Sequence, residues 1–554
     1  MKSSTERYNE WKQKVTDRSL LKQLEKMEND PVAIENAFYK DLEFGTGGMR
    51  GILGVGTNCL NIYNIRKVTE GVSRAMNAAG KTSVAISHDS RNMSNKFAKT
   101  AAEVFASHGI EVHLVPEESP TPFLSFAVRR LGCDMGVMVT ASHNPKQYNG
   151  YKLFDDTGCQ VLDDAAEEII SYVEKVDPFE VKTHSFSYYE KKGLISYIEP
   201  WVYSAFLCEV ESQALNDAKP LRIVYTPLNG AGFRLVPEAL RDRGFNDVSV
   251  VEEQGYPDGE FKTCPFPNPE KPEALALAIK KAEEEGADLV LATDPDCDRV
   301  GIAVKHNGEF VLLTGNEVGV LLTDYVLGTK YARWGLPYGA TIVRTIVTTS
   351  LVDKIAGHFG VKVVPVLTGF KWIGNVINKL GANGGNADRF VLGFEESYGY
   401  LIGTHCRDKD AVVASILIAE MTAYYKTEGR TLIDQLNGIY AMYGKYEHKN
   451  ISKKFEGASG NKKMNELMAS LRTKPIAKIG GGNVVRSVDF LDQTEYDVPK
   501  ANVMLYETDN GLTVIVRPSG TEPLIKFYIT AAKNEEENAA LFAAAIADID
   551  RIFA

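Results

Sequence analysis

Three aspartates at alternate positions, in Asp294-Pro295-Asp296-Cys297-Asp298-Arg299, demand an explanation before anything else in this sequence. Carboxylates this close raise one another's cost of ionisation unless a cation neutralises them. Oxygen donors at such density suit Mg²⁺, which takes octahedral ligands at about 2.0–2.1 Å. Ca²⁺ is the rival, but the glycine and terminal glutamate of an EF-hand loop are missing at the required offsets. Cys297 offers a soft thiolate that Mg²⁺ does not favour, so it reads as filler. Apolar runs flank the segment on both sides, which places the carboxylates at the edge of a core.

Three further segments carry reactive or anion-binding side chains. In Thr140-Ala141-Ser142-His143-Asn144-Pro145, followed by Asn149-Gly150-Tyr151-Lys152, a serine hydroxyl stands beside a histidine. Ser142 is a candidate nucleophile or a plain helix N-cap. His143 and Lys152 count against the plain cap, since a lysine of lowered pKa gives or takes protons. Gly393-Phe394-Glu395-Glu396-Ser397-Tyr398-Gly399-Tyr400 offers carboxylates and a hydroxyl to vicinal sugar hydroxyls, or a buried polar strand end. Arg517-Pro518-Ser519-Gly520-Thr521-Glu522-Pro523, with Lys526, makes an anion nest suited to phosphate, or a glycine hairpin turn. Gly45-Thr46-Gly47-Gly48-Met49-Arg50-Gly51 is glycine-rich, but it is not G-x-G-x-x-G and follows no clear strand. No G-x-x-x-x-G-K-[ST] and no H-E-x-x-H occurs, so an ATP-binding P-loop and a zinc peptidase are unsupported.

The elements that hold these segments repeat along the chain. Apolar run 83–87, helix 94–108 closed by Gly109, and apolar run 110–115 form one unit. The pattern returns as strand 222–226, helix 233–243, Gly244 and strand 247–251, and again as strand 341–345, helix 350–359, Gly360 and strand 361–366. Apolar runs alternating with glycine-terminated helices predict parallel βαβ units. After each copy, an Asp (Asp134, Asp288, Asp388) opens a further apolar run, and eight residues on stand Ser142, Asp296 and Glu396. Ligands bind past the carboxyl ends of strands in open α/β sheets. From about Lys445 the character changes; strands 512–516 and 524–530 around a short loop predict an α+β unit.

Composition bounds the rest. A length of 554 residues implies several domains, and 44% hydrophobic with 24% charged residues is ordinary for a globular protein. Lys+Arg of 62 against Asp+Glu of 73 gives a net charge of −11, which argues against a surface built for a polyanion. The 7 cysteines have no C-x-x-C spacing and read as free thiols in a reducing cytosol. The first residues are polar and predict no signal peptide, and the apolar stretch 411–419 is about half a bilayer span. A cytoplasmic chain is expected, with no nucleic-acid or membrane partner.

Taken together and in order, Gly-Gly-Met-Arg-Gly, Thr-Ala-Ser-His-Asn-Pro, Asp-Pro-Asp-Cys-Asp-Arg, Glu-Glu-Ser and Arg-Pro-Ser-Gly-Thr-Glu-Pro resemble the motifs of the α-D-phosphohexomutases. The chain is most similar to the long phosphoglucomutase/phosphopentomutase branch, over nearly its whole length. The resemblance implies an α/β protein of three similar domains with mixed, largely parallel sheets, plus a smaller C-terminal α+β domain, around one central cleft. The expected limits are 1–200, 201–313, 314–443 and 444–554.

The same resemblance implies roles. Ser142 would carry a phosphoryl group, and Asp294, Asp296 and Asp298 would hold Mg²⁺ together with the Ser142 phosphate. His143 and Lys152 would act as acid/base groups, and Arg50 and Arg299 would stabilise the moving phosphoryl. Glu395 and Ser397 would read sugar hydroxyls, with Thr368, Gly369 and Lys371 orienting the sugar. Lys409 would sit at the distal phosphate, and Arg517, Ser519, Gly520 and Thr521 would clamp it. The implied reaction interconverts glucose 1-phosphate and glucose 6-phosphate through glucose 1,6-bisphosphate, which is also the activator. Sugar phosphates are the expected partners of a monomer or weak dimer.

Phosphopentomutase and phosphomannomutase are the alternatives by the same mechanism. Glu-Glu-Ser is closer to the glucose pattern than Glu-Met-Ser, while Tyr398 and Tyr400 depart from it and bring pentoses into play. A silent family member is disfavoured by the intact Ser142, aspartates and Arg517. A Mg²⁺-dependent phosphatase would instead release inorganic phosphate.

Overall fold

Each repeat turns on one hairpin. In the computed structural model, which describes residues 2–45, 47–455, 460–519 and 524–553, strands Met135–Val139, Leu289–Thr293 and Phe390–Glu395 run into the polar loops. They return antiparallel as Tyr148–Asp155, Val300–His306 and Gly399–Ile402. The loops shorten from eight residues (140–147) to six (294–299) to three (396–398). The outgoing strands are parallel to the rest of their sheets, pairing with Ser83–His88, Ile223–Thr226 and Thr341–Thr345. Those in turn pair in parallel with Glu111–Leu114, Val248–Val250 and Lys362–Val366. The sheets are therefore mixed, of seven, five and four strands, because every functional loop closes a hairpin instead of a helical crossover.

The helices behind the sheets fall where the repeat predicts, at Ser94–Ser107, Leu235–Asp242 and Leu351–His358. Gly109, Gly244 and Gly360 follow them with φ of 75°, 93° and 67°, the left-handed termination that glycine adopts without a Cβ penalty. The second helix is shorter than expected because Ala231–Phe233 forms a separate 3₁₀ turn. Two further expectations shift. The glycine-rich segment does include a strand, Gly48–Ile52, which pairs with Tyr148–Asp155 and sets Arg50 opposite Gly150. Strand Leu512–Pro518 runs two residues past its expected end, so Arg517 lies on a strand paired with Lys526 and not in the loop.

The fourth sheet has six strands, antiparallel throughout, covered by helices Gly460–Thr473 and Glu535–Phe553. Ahead of the first sheet stand three helices that the repeat does not foretell, Ser4–Lys14, Arg18–Met27 and Pro31–Phe38. They are fixed by aromatic edges, with Trp11 against Phe38, Tyr63 and Phe179.

The second and third units share one apolar core, to which Phe123 and Phe126 of the first and Ile515 and Tyr528 of the fourth also contribute. Helix Ala411–Thr427 is its axis. It is buried almost all round and packs on strands Leu289–Thr293 and Gly399–Ile402 and on helix Leu235–Asp242. The apolar stretch 411–419 is therefore explained by two-sided packing. No helix among the described residues is long and apolar enough to cross a membrane.

Helix Gly315–Arg333 crosses strand Phe390–Glu395 so closely that a Cβ on Gly319 would lie 2.0 Å from the Phe394 ring. Gly319→Ala is expected to force the ring aside and cost about 1–3 kcal/mol, read as a lowered urea midpoint at unchanged m.

Candidate active site

Each loop leaves its strand through one left-handed non-glycine residue: Ser142 (φ 52°), Cys297 (φ 51°) and Tyr398 (φ 67°). That conformation costs about 1–2 kcal/mol per residue, so the surroundings must hold it. For Ser142 they do so with Arg91. Its guanidinium has no exposed surface and pairs with Asp89 at 3.3 Å. It donates to the carbonyls of Ser142 and Asn144, and to those of Pro145 at 3.0 Å and Tyr148 at 3.2 Å. Asp89 in turn accepts from Thr140 Oγ1 and Ser94 Oγ, each at 2.6 Å. The serine loop is thus tied at four carbonyls to one buried cation.

Ser142 Oγ donates to Asp294 Oδ2 at 2.8 Å and lies 3.2 Å from His143 Nδ1. Burial, reinforced by Arg299 and Arg50, pushes His143 well below its ordinary pKa, so the imidazole is neutral. Arg50 reaches the same loop through Asn144 Oδ1 at 3.0 Å.

The three aspartates offer oxygens all within 4.8 Å of one another, fully buried. Asp294 Oδ1 accepts from the Asp298 and Arg299 amides at 3.1 Å each. Asp296 Oδ2 accepts from Thr121 Oγ1 at 2.9 Å and Lys152 Nζ at 3.0 Å. Asp298 Oδ2 pairs with Lys409 Nζ at 3.1 Å. Asp296 Oδ1 and Asp298 Oδ1 are buried without a hydrogen-bond partner. Burial and the two neighbouring carboxylates push Asp294 well above the usual carboxylate range. Burial opposes ionisation of Asp296 as well, yet Lys152 and Lys409 hold it well below that range. Crowded hard oxygens, two of them unpartnered, fit a metal ion of Mg²⁺ type. Cys297 Sγ packs instead toward Gly232.

Arg299 Nη1 donates to Glu270 Oε1 at 3.0 Å, and its neighbouring Val300 amide donates to the Tyr398 carbonyl at 3.1 Å. The metal-type loop and the glutamate hairpin are therefore joined backbone to backbone. On the hairpin, Glu395 Oε1 accepts from the Gly369 amide at 2.8 Å, which brings Thr368-Gly369 to it. Ser397 is half-buried at the tip. Glu396 faces Thr345 and Thr348. Tyr400 is buried, stacked on Phe394 and donating to the Gly315 carbonyl at 3.3 Å. Tyr398 lines a cavity of about 450 Å³ with Glu270, Glu396 and Tyr440. Of the two tyrosines expected to favour pentoses, Tyr400 is thus a packing residue, while the half-buried Tyr398 faces the cavity behind the hairpin.

Other candidates are spread more widely. Lys371 Nζ bridges to Asp163 of the first unit at 2.5 Å. Arg517 lies near Tyr528, whose hydroxyl also feels Glu395 and Glu396, and Tyr528 packs into the core shared with the third unit. The Ser519 amide donates to the Leu524 carbonyl at 2.8 Å, and Gly520 and Thr521 lie outside the described residues. Sequence reasoning passed over Asp89, Arg91, Thr121 and Glu270. The first two follow strand Ser83–His88 at its carboxyl end, the position that marked the other loops; Thr121 and Glu270 sit among prolines and carry no such signal.

Comparison with known proteins gives four matches in chain order. Phosphoglucomutase/phosphomannomutase alpha/beta/alpha domains I, II and III match residues 41–179, 202–308 and 314–443, and the C-terminal domain matches 465–549. A phosphoglucomutase of Staphylococcus aureus (strain MRSA252) is 36% identical over 538 residues, 94% of each chain. A phosphoglucomutase/phosphomannomutase family protein of Burkholderia thailandensis has a similar fold, with TM-score 0.69, 19% identity, and 92% and 97% of the two chains covered. So has pp63/parafusin, a phosphoglucomutase of Paramecium, with TM-score 0.66, 17% identity, and 92% and 94% covered.

Two outcomes are expected. Arg91→Lys cannot reach four carbonyls, so kcat/KM should fall about 10–100-fold with an unchanged far-UV circular dichroism spectrum. Burial, with Glu395 adding to it, pushes the Glu396 carboxyl from 4.5 up to about 7. The folded state then binds the extra proton, and stability is lost as pH rises through that window. Glu396→Gln should raise Tm by about 1–2 °C near pH 8.5 and leave it nearly unchanged near pH 4, checked by scanning calorimetry.

Proposed function

Because the chain belongs to the phosphoglucomutase/phosphomannomutase family, we propose that it interconverts glucose 1-phosphate and glucose 6-phosphate as an α-phosphoglucomutase. The carrying observation is the serine hydroxyl 2.8 Å from one member of a crowded, buried aspartate triad. Relatives named phosphoglucomutase, 36% identical over 94% of the chain, favour glucose over a pentose.

In this reading Ser142 Oγ carries the phosphoryl group. The bond from phosphorus to Oγ breaks as a bond forms to a free sugar hydroxyl, whose proton leaves to a base, giving glucose 1,6-bisphosphate. The bisphosphate turns end for end, and Ser142 Oγ takes the other phosphoryl while the freed sugar oxygen regains a proton. His143, which is neutral, and Lys152 serve the proton transfers. Arg50 and Arg299, the latter aimed by Glu270, stabilise charge on the moving group. Glu395 and Ser397 hold sugar hydroxyls, with Thr368, Gly369 and Lys371 supporting their loop. Arg517, Ser519, Gly520 and Thr521 hold the distal phosphate in both orientations, and Lys409 pairs with Asp298. Asp294, Asp296, Asp298 and the phosphorylated Ser142 would hold Mg²⁺. When bound it offsets charge on the phosphoryl oxygens. Each half-reaction is an in-line transfer in which positioning and charge do most of the work.

³¹P NMR of the protein with Mg²⁺, a trace of glucose 1,6-bisphosphate and glucose 1-phosphate should show glucose 6-phosphate without inorganic phosphate. Turnover of ribose 1-phosphate alone would replace the sugar assignment, and stoichiometric inorganic phosphate would replace the mutase with a phosphatase. Ser142→Ala should lose at least about 10³-fold in rate and take no ³²P from labelled bisphosphate. Chelation should abolish turnover until Mg²⁺ is returned.

A further inference from the structure

One cluster of donor atoms has no part in the reaction just described. His405, Cys406 and Asp410 lie on the eight-residue turn between strand Gly399–Ile402 and helix Ala411–Thr427. They offer a nitrogen, a sulfur and a carboxylate oxygen within 4.8 Å of one another, and all three residues are buried. His405 Nε2 bonds Asp410 Oδ2 at 2.7 Å. Asp410 Oδ1 is occupied by the Val412 and Val413 amides at 2.7 and 3.2 Å, as the helix N-cap. His405 Nδ1 is buried with no hydrogen-bond partner. Cys406 Sγ, next to it, has only a weak contact to the Asp408 carbonyl at 3.3 Å.

An imidazole anchored through one nitrogen by a carboxylate, with the other nitrogen unpartnered beside a thiol, is the arrangement that carboxylate–histidine–metal sites use. Mixed sulfur and nitrogen donors select borderline-soft d¹⁰ cations, and the hard Mg²⁺ prefers the all-oxygen triad. We propose that this turn is a second metal site, specific for a thiophilic divalent cation of the Zn²⁺ and Cd²⁺ class. His405 Nδ1 and Cys406 Sγ are its donors and Asp410 anchors the ring. Binding forms metal–nitrogen and metal–sulfur bonds and releases the thiol proton, with any proton on Nδ1, to water. Gly403 and Thr404, which precede the cluster in the chain, are half-buried. The same turn carries Lys409, 3.1 Å from Asp298, and Asp408, held by Gln160 Nε2 of the first unit at 2.9 Å. An ion at His405 and Cys406 therefore bears on the aspartate triad from behind.

Cd²⁺ titrated into the full-length protein under saturating Mg²⁺ tests this. About one equivalent should develop the ultraviolet sulfur-to-cadmium charge-transfer band, and ¹¹³Cd NMR should place that ion in the range of sulfur-ligated sites. Cys406→Ser should lose the band, His405→Gln should weaken the affinity at least about tenfold, and Asp296→Asn should leave both signals intact. A band of equal intensity in Cys406→Ser would overturn the assignment. So would an all-oxygen cadmium shift in the unsubstituted protein, an outcome that needs no variant to fold.

Discussion

Three carboxylates forced into a buried space less than 5 Å across set the terms for everything around them. Left alone they repel, and the protein answers with cations and donors drawn from separate units. Lys152 and Thr121 come from the first repeat, Lys409 from the third, and Arg299 from the loop itself. Each contact also fixes where its own unit sits. The Thr121 amide bonds the Asp296 carbonyl at 2.9 Å, the Ala411 amide the Cys297 carbonyl at 3.4 Å, and the Val300 amide the Tyr398 carbonyl. The electrostatic demand of one loop is met by the assembly of three sheets around it. A buried pair of this kind adds little net stability, but removing one partner strands a charge at a cost of about 3–5 kcal/mol. The cleft is accordingly specified more sharply than the packing elsewhere.

Much of this was legible from the residues. The periodic return of strand, helix and glycine located three sheets, because parallel strands covered on both faces must be apolar throughout and so stand out. The eight-residue offset found the loops, because a strand's end is fixed by where its apolar run stops. What the pattern did not show is that each loop closes a hairpin. Strand Tyr148–Asp155 contains Lys152 and Asp155, and Gly399–Ile402 is only four residues long, so neither reads as a core strand. The three leading helices escaped because their apolar positions are few and their partners, Tyr63 and Phe179, are remote in sequence.

Within the site, residue type and spacing disclosed the groups that face one another across the cleft. They did not disclose the groups that act through another residue. Arg91 and Glu270 look like any surface charge in the sequence; burial against four carbonyls, or opposition to Arg299, is a property of the fold. Tyr398 and Tyr400 show the converse. Their position in a recognition loop suggested contact with substrate, but Tyr400 lies on the return strand and points into the core, while Tyr398, with φ of 67°, turns toward the rear. Lys371 likewise spends its charge on Asp163.

Helix Ala411–Thr427 belongs to the third repeat by sequence and to the second by half of its packing. The repeats are therefore copies of a topology without being self-sufficient folding units. A gene fragment cut between the second and third would leave a bare apolar helix on one side and an uncovered sheet face on the other. Exchanging one of these two units without the other would mismatch the faces of the shared core, whereas the fourth unit has a core of its own around Met468, Phe527 and Ile549.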